Sequence, residues 1–178
     1  MNVLITTLAV LGSLIALFFF VALFIKKEYT ISREIIISRP VREVFDYVRI
    51  QKNQEAYNKW VMTDPAKKIE LHGTDGTPGF VYAWNGNKQA GEGELEILRI
   101  KELESVDTEV RFVRPFPSSA QISMKTFPEA GGRTRVTWGF KSAMKYPMNL
   151  ILVLMGLEKV LAKDMDTSLG NLKRILER

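Results

Sequence analysis

Glu92, Glu94 and Glu96 recur at every second position, the spacing that lines three carboxylates along one face of a strand. Paired carboxylates do acid–base work when burial drives their pKa values apart, and on a wet face they are merely solvated charge. The wet face is the plainer reading, but the apolar residues around them switch sides, Leu95 and Ile97 on one face and Leu98 and Ile100 on the other. A bulge would produce that switch, and so would carboxylates turned inward, which would aim a Glu into the interior. Other chemistry-bearing residues are few. His72 is the single histidine, beside the turn-like run Gly73-Thr74-Asp75-Gly76-Thr77-Pro78-Gly79, and one imidazole does not make a three-ligand zinc site. The same run lacks the Gly-Lys-Ser/Thr ending of a phosphate-cradling loop and does not open a helix. With no cysteine in the chain, a disulfide, a thiolate metal site and a Cys nucleophile are all excluded. No metal, cofactor or catalytic residue is therefore expected.

Aromatic residues are the more informative set: Tyr57, Trp60, Tyr82, Trp84, Phe112, Trp138 and Phe140. On a closed fold these would be ordinary core. On the inward face of a hollow one they would line an apolar ligand pocket, with phenol hydroxyls and indole N–H groups as its polar handles.

The elements that must position these residues follow from periodicity. Tyr29 to Ser38 is rich in Ile and Thr and reads as a first strand. Pro40 then suits a helix first turn, with Val41, Val44, Phe45 and Val48 at helical spacing behind it. A second short helix is expected over Asn53 to Trp60, ended by Asp64-Pro65. From there to Ser142 the period becomes two. Phe80, Tyr82 and Trp84; Val106, Thr108, Val110 and Phe112; Ala120, Ile122, Met124 and Thr126; and Val136, Trp138 and Phe140 each alternate with smaller or polar neighbours. These are half-buried strands of an antiparallel sheet. From about Leu157 helical spacing returns, with Leu161, Met165, Leu169 and Leu172 on one stripe, and a long amphipathic helix of this kind needs a sheet to lie on. The run Pro147 to Met155 is apolar nearly all round and reads as the buried first turns of that helix, or else as a lip touching a bilayer.

Val3 to Ile25 contains no charged side chain, and Lys26-Lys27 closes it. A helix of this length reaches roughly 34 Å, against a bilayer core of about 30 Å. A cleavable signal would need a basic n-region, a shorter apolar core and a small-residue cleavage site, so an uncleaved single-pass anchor is expected over residues 1–27. The bilayer is thus the first expected partner. Lys26, Lys27 and Arg33 flank only the C-terminal end, which by the positive-inside rule places the following domain, residues 28–178, in the cytoplasm. The formal charge of +5 comes from that domain. Its basic residues are scattered among acidic ones with no like-charged block, so a nucleic-acid partner is not expected.

The chain resembles the START-like helix-grip superfamily (SRPBCC), of the polyketide cyclase/dehydrase and lipid-transport type. The likeness rests on the opening strand followed by Ser38-Arg39-Pro40-Val41-Arg42-Glu43-Val44-Phe45, on Trp60 near the end of the second short helix, and on the closing helix with Leu169 and Leu172. It implies an α+β fold: a curved antiparallel sheet of six to seven strands around a long C-terminal helix, with two short helices after the first strand. It also implies a cavity between sheet and helix holding a hydrophobic or lipid-like ligand. Fold alone does not specify chemistry. The expected function is ligand binding without covalent chemistry. A cyclase- or dehydrase-type enzyme and a membrane-tethered interaction module with a filled core stand as alternatives.

Overall fold

The structure is a computed structural model and describes residues 2–178. Its first element, α1 (Asn2–Phe24), is a 23-residue apolar helix, long enough to cross a membrane, in which Ala22 alone is buried. After a three-residue connection β1 (Glu28–Ile37) begins, followed by α2 (Val41–Val48) and α3 (Gln54–Tyr57), the latter flanked by single 3-10 turns. Six strands follow: β2 (Lys68–His72), β3 (Val81–Asn85), β4 (Glu92–Lys101), β5 (Ser105–Arg114), β6 (Ser118–Glu129) and β7 (Arg133–Ala143). Two helices close the chain, α4 (Leu150–Leu154) and α5 (Leu157–Leu176).

All seven strands form one antiparallel sheet in the order β1-β7-β6-β5-β4-β3-β2. The alternating sets of the sequence face inward as expected: Val106, Val110, Ala120, Met124, Val136, Trp138 and Phe140 are all buried. On β4 the register shifts between Ile97 and Arg99, so the switch of faces is a bulge. One extra residue, the exposed Leu98, lets Ile100 return to the side of Ile97.

The long helix α5 buries Met165, Leu169 and Leu172 against Ile31, Ile37, Val136 and Trp138. Polar ties fix its position. Arg33 of β1 makes a two-pronged ion pair with Asp166, both bonds 2.6 Å, and Lys59 pairs with Asp164. At the far end the Arg39 Nε donates to the Leu176 carbonyl at 2.6 Å, and the Ser38 N–H donates to Glu177.

The run Pro147 to Met155 differs from its expected place in α5. It forms the separate helix α4, because Gly156 adopts φ +55° and turns the chain between the two. Only Leu150 and Leu152 of α4 are buried, while Val153, Leu154 and Met155 are 63%, 69% and 69% exposed. Asn149, fully buried before α4, donates from Nδ2 to the carbonyls of Ala22 (2.7 Å) and Ile25 (2.9 Å). Those carbonyls end α1 without intrahelical donors, so Asn149 ties the apolar helix to the domain.

Candidate functional site

A cavity of about 270 Å³ lies between the sheet and the short-helix segment. Its floor is apolar: Leu95 from β4, Val110 and Phe112 from β5, Ile122 from β6 and Phe140 from β7, with Leu161 of α5 closing one side. Alternation places these residues there, since each strand turns every second side chain inward. Trp84 stands edge-on to Phe112, with ring centroids 5.9 Å apart, and lies across Gly93 of the neighbouring strand. A Cβ on Gly93 would sit 2.8 Å from the indole, so only glycine lets Trp84 lie there. Trp60 meets Phe140 (5.9 Å) and Trp138 (5.6 Å) edge-on and forms the opposite wall.

Polar groups of the upper wall form a relay. The Gln54 amide donates to Gln51 (2.6 Å), Asn58 donates to Gln54 (2.7 Å), and the Trp60 N–H donates to the Asn58 Oδ1 (3.0 Å). The indole N–H groups are engaged too, Trp60 with Asp164 (3.1 Å) and Trp84 with the Ala90 carbonyl (3.0 Å). Such a satisfied network holds its shape without a ligand. Lys67 is the one charged residue among the described lining residues, and no carboxylate lines the cavity.

Of the seven aromatic candidates, the cavity brings together Trp60, Tyr82, Trp84, Phe112 and Phe140. Tyr57 and Trp138, 1% and 2% exposed, instead border a separate void of about 20 Å³. Gln51, Gln54, Leu95 and Ile122 line both spaces and so form the partition between them. The Trp138 Nε1 is buried without a partner, and a void of this size and polarity accommodates one water molecule. Nothing in the sequence marks the polar wall of Gln51, Gln54 and Asn58 or the rim residues Thr63, Lys67 and Gln89. They sit in short helices and loops, where no periodicity marks an inward face.

The Tyr82 hydroxyl donates to the Glu55 Oε1 at 3.3 Å. Burial, then the charge and hydrogen bond of Glu55, push the phenol well above its ordinary range, so it is protonated at neutral pH. Tyr57 is pushed up as well, chiefly by burial.

The carboxylates take the wet face, the plainer reading of their spacing, and the inward alternative is not adopted. Glu92, Glu94 and Glu96 alternate with the buried Gly93, Leu95 and Ile97 and lie on the outer face of the sheet. There the Arg111 guanidinium bonds Glu94 (2.7 Å), Glu96 (2.6 Å) and Glu109 (2.5 Å), and Arg114 bonds Glu92 at 2.7 Å. The bulge at Leu98, after the last of these carboxylates, accounts for the change of face without turning any of them inward. His72 is exposed at the end of edge strand β2, 4.0 Å from Glu70. No group of three or more His, Asp or Glu residues able to hold a metal occurs among the described residues.

This architecture is the helix-grip fold, and the solved structures it resembles share it. Norcoclaurine synthase from Thalictrum flavum, in complex with dopamine and hydroxybenzaldehyde, is similar at TM-score 0.62 and 9% identity, over 84% of this chain and 87% of that one. Ara h 8.0201 is similar at TM-score 0.51 and 16% identity, over 76% and 96%. DynU16, encoded in the dynemicin biosynthetic locus, is similar at TM-score 0.58 and 15% identity, over 83% of this chain and 47% of that one. No protein-family model matches the chain, and no curated protein sequence does. At these identities the likeness establishes the fold alone.

Proposed function

We propose that this chain is a single-pass membrane protein whose cytoplasmic helix-grip domain binds a hydrophobic, lipid-like ligand without covalent chemistry. The observation that carries this reading is the 270 Å³ cavity with its aromatic and aliphatic floor, left open rather than filled by side chains. Its volume lies at the small end of ligand pockets, which suits one acyl segment or one ring system. Trp60, Tyr82, Trp84, Phe112 and Phe140 would make the apolar contacts, with Tyr57 and Trp138 behind the partition. An open cavity also sets the domain apart from an interaction module with a solid core. The length and exposure of α1, with Lys26 and Lys27 at its end, support the anchor and its orientation.

Mass spectrometry of solvent extracts from gently purified full-length protein tests the binding reading. A stoichiometric apolar compound is expected, and its loss from a folded Trp84→Ala variant would place it in the cavity. Extracts free of any such compound, together with no uptake of added fatty acid, would refute it.

The enzyme reading has one specific observation in its favour, the Tyr82–Glu55 pair at the cavity wall. A phenol kept protonated can stabilise a developing oxyanion by hydrogen bonding. If wild-type extracts hold a chemically altered ligand and Tyr82→Phe extracts hold its unaltered precursor, catalysis replaces simple binding.

A further inference from the structure

The strand register sorts the loops of the sheet to two ends, and the two ends differ. Tyr29 is paired with Ser142, and Ser142 with Ala120. Ile25, at the end of the apolar helix, lies four residues before Tyr29, and Phe116 lies four residues before Ala120. Because β1 and β6 both run antiparallel to β7, Ile25 and Phe116 both lie beyond that row in the same direction. The end of α1 therefore lies at the same end of the sheet as the β3–β4 loop, the β5–β6 loop and the segment from β7 into α4.

That end is apolar where it projects and basic around it. Phe116, held between Pro115 and Pro117 at the tip of the β5–β6 loop, is 72% exposed. Val153 and Leu154 of α4 and Met155 just after it are exposed, and Asn149, just before that helix, bonds the last turn of α1. Lys26, Lys27, Lys67, Lys68, Lys88 and Lys145 surround these points. Among the described residues the lysines in ion pairs are Lys59, Lys101, Lys141 and Lys173, and none of these six. At the opposite end the carboxylates are taken up by cations: Glu102 pairs with Arg42 and Arg49, Glu104 with Lys101, Glu129 with Arg135 and Glu177 with Lys173.

The geometry points to a bilayer-docking face: Phe116 and the Val153-Leu154-Met155 tip of α4 enter the same leaflet that α1 crosses, and the six unpaired lysines rest on its anionic headgroups. This rests on α1 being a membrane anchor. Apolar tips ringed by basic side chains are what an anionic membrane surface binds. The cavity rim belongs to the same end, since Lys67, Gln89 and Ala90 line it, so its ligand would enter from the bilayer rather than from bulk water.

The chain contains no cysteine, so single labels can be placed cleanly. Full-length Phe116→Cys, Leu154→Cys and Ala130→Cys variants would each carry an environment-sensitive nitrobenzoxadiazole label in phosphatidylcholine–phosphatidylserine vesicles. Ala130 is exposed in the β6–β7 hairpin at the opposite end and serves as the water reference. Blue-shifted emission raised several-fold at positions 116 and 154, with the label at 130 unchanged, is the expected result. Carbonate-resistant retention on the vesicles with all three labels reporting water would overturn the docking face and leave the anchor standing. Release of the protein by carbonate would overturn the anchor, and the docking face with it.

Discussion

The two halves of one sheet are built from the same alternating pattern and end differently. Under α5, the inward residues of β1, β7 and β6 merge with Met165, Leu169 and Leu172 into a continuous packed core. Toward the other edge, Phe45 of α2 meets Phe80, Tyr82, Ile97 and Val106 in a smaller cluster, and between this cluster and the α5 core, below the four-residue helix α3, a cavity is left that Ile122, Phe140 and Leu161 border from the packed side. Alternation decides which side chains turn inward, and the length of the covering helix decides whether they meet a partner. A twenty-residue amphipathic helix supplies enough apolar side chains to fill its half. A single turn braced by glutamines and an asparagine does not.

Removing side chains from the packed half should have the largest effect. Leu169→Ala deletes fully buried atoms from a filled region and is expected to cost about 2–5 kcal/mol, read from urea unfolding in detergent. Trp84→Ala removes more atoms from the wall of an existing void. It should cost less stability than Leu169→Ala while lowering ligand occupancy about tenfold; an equal or greater loss of stability would erase the distinction between the halves. Between these regions and α1, Asn149→Ala leaves the carbonyls of Ala22 and Ile25 without their donor. A cost of about 1–3 kcal/mol is expected, seen as faster proteolysis of the Phe24–Glu28 connection.

The phenols give a pH signature that spans both halves. Tyr57 and Tyr82 ionise above their ordinary value near 10 in the folded chain, so the unfolded chain loses its protons first. The stability they contribute is whole below about pH 10 and falls as pH rises above it. Ultraviolet titration should show two tyrosines ionising only as the domain unfolds. The smallest effect belongs to the outer face. Glu96→Gln breaks one arm of the half-exposed Arg111 network and should cost under about 1 kcal/mol, with ligand occupancy unchanged.

Much of this was legible in the chain itself. Val106 to Phe112 and Val136 to Phe140 declared their inward sides, because a strand's period of two is written directly into residue order. The stripe from Leu161 to Leu172 declared α5 in the same way, and the uncharged run to Ile25 declared α1. Strand β2 was not marked, because an exposed edge strand such as Lys68 to His72 buries too little to impose alternation. Nor was the break between α4 and α5 visible, since Pro147 to Met155 is apolar throughout and the turn depends on the backbone of Gly156.

The site divided along the same line. Composition and period determined that Trp60, Tyr82, Trp84, Phe112 and Phe140 would lie inside, because local patterning fixes the side of each residue relative to its own strand or helix. Tertiary structure alone decided that these five surround a cavity while Tyr57 and Trp138 stand behind Gln51 and Gln54. It also decided that Glu94 and Glu96 are held outside by Arg111, and that Phe116 lies at the same end of the sheet as the end of α1. Each of these depends on strand order, register and the path of a short covering helix, which are relations between distant segments that no local period encodes.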